Sequence, residues 1–359
     1  MLACAPVALL GCVPDGQPAA AAGVGPMPGT ALAVAQPYRV AIPVPPPPPA
    51  APRPPAALDR VVGALAEGFQ GQIGIAVHSI DTGWRSSRGG EAKLPQQSVS
   101  KLWVAMTVLE QRDAGRLRLE DAVLVRPQDL TLFHQPIAAL VRGEGYRTTV
   151  GELLRRALTM SDNTANDRLL QLVGGPQVVR NFIARRGLGN IRFGPGERLL
   201  QAKTAGLPWR QEYATGNGFA QARSRLAPAV RLAAYRAYVG DPPDGAGASA
   251  IADALVRLHE GALLSPDSTR WLLDTMSATR TGHARLRAAL PPGWRIAHKT
   301  GTGQDLLGRT AGFNDVGILT APDGRSYAVA VLIGDTARPP RERQQLMQTL
   351  VSAIVATHG

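Results

Sequence analysis

Ser98-Val99-Ser100-Lys101-Leu102-Trp103-Val104-Ala105-Met106-Thr107-Val108-Leu109 is the stretch from which the rest of the sequence is best read. Leu102, Ala105, Met106 and Leu109 recur at helical spacing, which predicts a helix from Ser98 to about Gly115. A hydroxyl and an amine sit at its start. Ahead of it, Leu58, Val61, Val62, Leu65 and Phe69 predict a first helix. Ile73, Ile75 and Val77 then alternate, and Asp81-Thr82-Gly83 turns the chain, so residues 72–90 read as a hairpin. Beyond it, residues 116–275 read as helices separated by Gly/Pro breaks such as Gly174-Gly175-Pro176. Strands return at 294–302, 310–320 and 326–334, and a helix closes the chain at 339–357. Strands split by a long helical stretch predict an α+β fold in which sequence-distant strands meet. The stretch 202–247, with its Gly, Pro and scattered Arg, reads as an irregular insertion.

The front of the chain is different in kind. Residues 1–57 hold 15 of the 30 prolines, including the run Pro45 to Pro49, and only Asp15, Arg39 and Arg53 are charged. Such a segment cannot bury enough apolar area to offset its ordering entropy. Residues 13–56 are expected to be a disordered linker. Both cysteines precede it, at Cys4 and Cys12, so the folded part has neither a disulfide nor a cysteine-based metal site. Leu9-Leu10-Gly11-Cys12 resembles a bacterial lipoprotein cleavage box. That resemblance implies a leader over 1–12, a lipid on Cys12, and a periplasmic enzyme tethered to a membrane. The same residues also read as an Ala/Pro-rich tail.

Net charge is +12, from 39 Lys+Arg against 27 Asp+Glu. Charge alone suggests a nucleic-acid binder, but the arginines are scattered without interleaved aromatics, and no nucleic acid is expected as a partner. No run of 18 apolar residues argues for a membrane span. Only four of the 39 basic residues are Lys: Lys93, Lys101, Lys203 and Lys299. A chain that almost always uses Arg keeps Lys where an amine is needed. An amine can lose its proton and a guanidinium cannot.

Three short motifs carry chemistry. In Ser98-Val99-Ser100-Lys101, positions i and i+3 share a helix face, so Lys101 can reach Ser98 Oγ and take its proton. Alone, the pattern equally describes an exposed Lys behind an N-cap Ser. Ser161-Asp162-Asn163 sets a hydroxyl beside a carboxamide, and equally describes an Asx turn that caps a helix. Lys299-Thr300-Gly301-Thr302 offers a cation, hydroxyls and a glycine where a ligand would lie against a strand, and equally describes an edge strand guarded by Lys.

In this order, Ser-x-x-Lys, Ser-Asp-Asn and Lys-Thr-Gly resemble the signature of serine acyl transferases that act on penicillins and cell-wall peptides. Over about 300 residues from Leu58 onward the chain resembles class A serine β-lactamases. The resemblance implies a five-stranded antiparallel sheet flanked by terminal helices, with an all-helical subdomain inserted. The catalytic domain is then 57–357. Its α/β part covers about 57–94 and 276–357, its helical part about 95–275, and the 202–247 insertion lies inside the latter. Glu197, in Glu197-Arg198-Leu199-Leu200-Gln201, falls where that class carries the glutamate that activates the deacylating water. Gln201 stands where an Asn is usual. His298 and Phe313-Asn314-Asp315-Val316-Gly317 are similar to a branch that includes extended-spectrum enzymes.

The resemblance assigns each residue a role. Ser98 attacks the lactam carbonyl, and Lys101, or Glu197 through a water, takes its proton. Backbone N–H groups of Ser98 and Thr302 form an oxyanion hole. Ser161, with Lys299 nearby, passes a proton to the leaving nitrogen. Asn163 binds the acylamide, and Asp162 holds the loop. Lys299, Thr300 and Thr302, with Arg309, bind the substrate carboxylate, and His134 sits at the cleft mouth. Gln201 holds a water. A small-molecule β-lactam is the expected partner, with no metal or other cofactor, and a monomer is expected. Two readings stay open on the sequence: a D-Ala-D-Ala carboxypeptidase or transpeptidase, and a non-catalytic peptidoglycan-binding module.

Overall fold

The computed structural model describes residues 51–359, together with Gly23, Gly25 and Gly29. The leader and most of the linker, Cys12 included, lie outside the described residues. The chain enters through helix α1 (Ala56–Glu67), then strands β1 (Ile73–Ser79), β2 (Arg85–Arg88) and β3 (Leu94–Pro95). A single 3-10 turn (Gln97–Ser100) leads into α2 (Lys101–Asp113). Strands β4 (Ala122–Val125) and β5 (Tyr146–Thr149) pair with each other, and α3 (Val150–Thr159), α4 (Asn163–Leu172), α5 (Pro176–Arg185) and α6 (Glu197–Thr204) follow. Then come α7 (Gly218–Arg225), α8 (Pro228–Gly240), β6 (Gly245–Ala246), α9 (Ala248–His259) and α10 (Pro266–Ser277). The chain closes with β7 (Arg295–Thr302), β8 (Asp305–Leu306), β9 (Arg309–Ala311), β10 (Phe313–Thr320), β11 (Ser326–Ile333), β12 (Asp335–Thr336) and α11 (Pro340–Ala356).

The central sheet has five strands in the order β2-β1-β11-β10-β7, all antiparallel. Both of its faces are covered, which explains why β11 (Ser-Tyr-Ala-Val-Ala-Val-Leu-Ile) reads as an almost unbroken apolar run rather than an alternation. Val329, Val331 and Ile333 of β11 pack with Ile75 and Val77 of β1 against α1 (Leu58, Val62) and α11 (Leu346, Leu350, Val351, Ile354). Ala76, Ala328 and Ala330 face the other way, where small side chains let α9 approach. Each large apolar side chain so buried contributes about 1.5–3 kcal/mol.

Two sequence expectations need correction. First, α2 is not amphipathic. Every residue from Lys101 to Leu109 is buried, as expected of a helix running through the middle of a core. Second, 202–247 is mostly helical, not irregular. α6 runs on to Thr204, and α7 and α8 follow. Pro228 occupies the first turn of α8, where its missing N–H costs nothing, and Arg236 lies on its exposed side. The segment has a small core of its own, Leu207, Tyr213 and Phe219 with Leu132, Ala202 and Ala205. It returns to the body through β6, which pairs with β3 just ahead of the Ser98 turn. One boundary also shifts: α9, read as part of the helical subdomain, packs on β1 and β11 of the sheet.

Candidate active site

Ser98 lies in the 3-10 turn at the head of α2, half-buried on the wall of a cavity of about 490 Å³. Polar bonds from distant parts of the chain hold the turn. Gln96 donates to the carbonyls of Arg192 (2.9 Å) and Asp244 (2.6 Å), and accepts from Trp103 Nε1 at 2.6 Å. Gln97 has φ 54°, a left-handed conformation that costs a non-glycine residue free energy. Its N–H donates to Asp244 Oδ2 (2.8 Å), and its amide to Tyr238 Oη (2.7 Å) and the Ala311 carbonyl (2.9 Å). These bonds hold the strained residue beside the serine in place.

Lys101 Nζ lies 2.7 Å from Ser98 Oγ and 2.9 Å from Asn163 Oδ1, and it touches Glu197 Oε1. The Lys101 side chain is fully buried and Glu197 nearly so. An unpaired buried amine would cost several kcal/mol, and this one has a hydroxyl, an amide oxygen and a carboxylate around it. The exposed-helix reading of Ser-x-x-Lys is therefore ruled out. Ser161, at φ 59°, accepts from Lys299 Nζ at 2.9 Å. Lys299 also donates to the Thr300 carbonyl (2.8 Å) and has no carboxylate in contact among the described residues. Burial first, and then the charge of Lys101, hold its amine well below the usual lysine range. Lys299 thus meets the cavity through Ser161, and Thr300 and Thr302 line that wall.

Glu197 begins α6. Its N–H and that of Arg198 donate to the two oxygens of Asp167, at 2.8 and 3.0 Å. Burial, and then the charge of Glu197, push Asp167 up to about 6. Gln201, one turn on from Glu197, donates to Glu197 Oε2 (3.3 Å) and Gln97 Oε1 (3.1 Å), and accepts from Gln304 (3.0 Å). Its carboxamide lines the cavity and at the same time ties α6 to the serine turn and to the chain after β7. Asp162 caps α4: Oδ1 accepts from Ala165 N (2.9 Å) and Oδ2 from Ile137 N (2.7 Å). It is a loop-holding carboxylate and an N-cap at once, and its burial raises its pKa. Asn163 donates to the Leu132 carbonyl (2.8 Å) and faces the cavity. His134 is exposed on the cavity wall, and its carbonyl accepts from Asn163 N at 2.9 Å.

Two site expectations fail. Arg309 is not in the cleft. It forks onto Asp335 with bonds of 2.9 and 2.7 Å and is largely exposed. Arg285 lies where Arg309 was expected. Its guanidinium donates to the carbonyls of Gly301 (3.0 Å) and Asn314 (2.6 Å) and to Thr302 Oγ1 (2.6 Å), over the Phe313 ring at 3.8 Å. Burial brings it down to about 10, and it remains a cation. Gly301 is also misread as a ligand rest. A Cβ there would collide with the Gln96 carbonyl oxygen, so the glycine lets β7 lie against the serine turn.

Reading the sequence missed Arg285, Asp167, Asp244, Gln97, Gln304 and Arg223. Nothing marks Arg285 among so many arginines. Asp167 did carry a signal, since it lies four residues after Asn163 on the same face of α4.

Known proteins resemble this chain in sequence and in fold. Residues 57–358 match the family described as the beta-lactamase enzyme family. The extended-spectrum beta-lactamase PER-1 of Pseudomonas aeruginosa is 30% identical over 291 residues, covering 81% of this chain and 83% of that protein. A beta-lactamase structure from Chitinophaga pinensis superposes with a TM-score of 0.69 at 28% identity, over 84% of this chain and 99% of that one. An ancestral class A beta-lactamase gives 0.64 at 29% identity, over 83% and 99%.

Proposed function

The chain belongs to the β-lactamase enzyme family, and from that premise we propose how its residues carry the reaction. It is a class A serine β-lactamase: it opens the β-lactam amide through an acyl-serine ester and so confers resistance. The observation that carries the residue roles is the buried contact of Lys101 with Ser98, Asn163 and Glu197.

Ser98 Oγ attacks the lactam carbonyl carbon. Lys101 takes the serine proton as it gives one of its own to the Glu197 carboxylate, so the amine is proton-neutral over the step. This joins the two alternatives for the base, because both groups lie on one short path. The carbonyl oxygen becomes an oxyanion facing the N–H groups of Ser98 and Thr302. The carbon–nitrogen bond then breaks, and Ser161 Oγ protonates the leaving nitrogen. Ser161 is reprotonated from Lys299, its hydrogen-bond donor, which regains a proton from solvent, and Glu197 gives up its proton to solvent. In the second half, Glu197 takes a proton from water. The hydroxide attacks the ester, the Ser98 ester bond breaks, and the proton returns to Ser98. Thr300, Thr302 and Arg285 hold the substrate carboxylate, and Asn163 the acylamide.

The test is turnover of a chromogenic cephalosporin. Steady hydrolysis is expected from the parent, and Glu197→Ala is expected to release about one equivalent and then stall. A parent that stalls after one equivalent would overturn the hydrolase mechanism. We also propose that the enzyme is a periplasmic monomer carrying a lipid on Cys12. Cys12→Ala should abolish fatty-acid labelling, and equal labelling would remove the anchor.

A further inference from the structure

We propose that Arg223 is an anion subsite of the cleft, selecting β-lactams whose acylamino side chain carries a second negative group. This inference rests on the β-lactam hydrolysis reading above. Two guanidinium groups line the cavity, Arg285 and Arg223. Arg285 is committed to Thr302, Gly301 and Asn314, at the carboxylate end of β7. Arg223 comes from α7, in the segment that the sequence did not explain. It donates one bond, to the Asp305 carbonyl at 3.0 Å, and makes no ion pair among the described residues. The Asp305 side chain accepts from Thr310 Oγ1 at 2.6 Å. Burial, and then the neighbouring charge of Arg231, work against the Arg223 cation, with partial relief from Asp305. A half-buried cation with spare donors and a second cation behind it is a place where an anion gains free energy.

Position adds the substrate class. Asp305 follows Thr302 by three residues, a reach of roughly 10 Å along an extended chain. A bicyclic β-lactam carries its ring carboxylate and its acylamino group on opposite sides of the nucleus. With the carboxylate at Thr300, Thr302 and Arg285, and the amide at Asn163, the side chain runs toward Gln201, Gln304 and Arg223. Arg223 is well held there. Phe219 on the same helix stacks edge-on against Phe133 (5.1 Å) and Tyr213 (5.9 Å).

The test compares a phenylacetyl penicillin with its α-carboxylated analogue, in the parent, Arg223→Gln and Arg223→Lys. The readout is the ratio of kcat/KM for the dianionic over the monoanionic substrate. Loss of one charge-assisted contact should lower the ratio about tenfold or more in Arg223→Gln, and Arg223→Lys should recover part of it. Raising salt should lower the ratio in the parent and leave it flat in Arg223→Gln. A ratio unchanged by Arg223→Gln in an active enzyme overturns the subsite alone. A parent that hydrolyses neither penicillin overturns the function on which it rests. The ratio cancels any loss of folded enzyme, so partial unfolding of a variant leaves the outcome readable.

Discussion

Lys101 and Lys299 are two fully buried amines behind one cleft, each bonded to a serine on its wall, and their surroundings differ in one respect. The helical side gives Lys101 a carboxylate, Glu197, in direct contact. The sheet side gives Lys299 only a hydroxyl and a carbonyl. Burial penalises charge in both places, but only Lys101 has a counter-charge that offsets the penalty. Lys299 is left with an easily lost proton. The same residue type thus sits against a carboxylate on one wall and against the Ser161 hydroxyl on the other.

The largest effect is expected at the matched lysine. Lys101→Met keeps the volume and deletes the amine. kcat/KM should fall by ~10²–10⁴, and stability by ~3–5 kcal/mol, because Glu197 is left buried without its partner. Steady-state kinetics and thermal unfolding measure both; loss of activity with unchanged stability would break the pairing. Next comes the unmatched lysine. As pH rises through the lowered pKa of Lys299, its ammonium is lost and Ser161 loses its charged donor. The alkaline limb of the kcat/KM profile, which reports free enzyme, should therefore begin below the ordinary lysine range. Lys299→Arg holds its proton and should move that limb upward, at a lower plateau. An unmoved limb would assign it to another group.

The smallest effect extends the comparison to acids. Asp244, fully buried behind Gln97, is in no ion pair among the described residues, and burial pushes it up to about 6. The folded state then binds more protons than the unfolded state between about pH 4 and 6. Stability from this group therefore falls as pH rises through that window, by up to about 3 kcal/mol. Asp167 shifts the same way. Asp244→Asn should flatten the decline between about pH 4 and 6, read by denaturant unfolding. An unchanged slope would show that Asp244 is not the source.

The fold was legible where pattern and chemistry coincide. The hairpin, the C-terminal strands and the closing helix fall within a few residues of expectation, because each has one clear apolar face or run. Ser98, Lys101, Ser161, Glu197 and Lys299 converge because each sits in a short motif at a fixed offset. What escaped were long-range partners. Arg285 and Arg309 are both arginines near the end of the helical part or in the last strands, and only tertiary packing puts one in the cleft and pairs the other with Asp335. The 202–247 segment escaped for another reason. Pro228 opens a helix and Arg225 and Arg236 lie on exposed helix sides, a pattern that reads as irregular until the buried Tyr235, Tyr238 and Val239 are placed.

The turn that carries Ser98 is bonded to residues 96, 148, 214 and 218 positions away in sequence: Arg192 and Asp244 through Gln96, Ala311 through Gln97, and Asn314, which donates to the Gln96 carbonyl. No local piece of the chain can build it. Closing loops of that length is what makes high-contact-order proteins fold slowly. The nucleophile is therefore shaped only after both halves of the sheet have met, and a partly folded chain carries every catalytic residue without being a catalyst. On refolding, recovered hydrolysis times the last assembly step, however early the helices form.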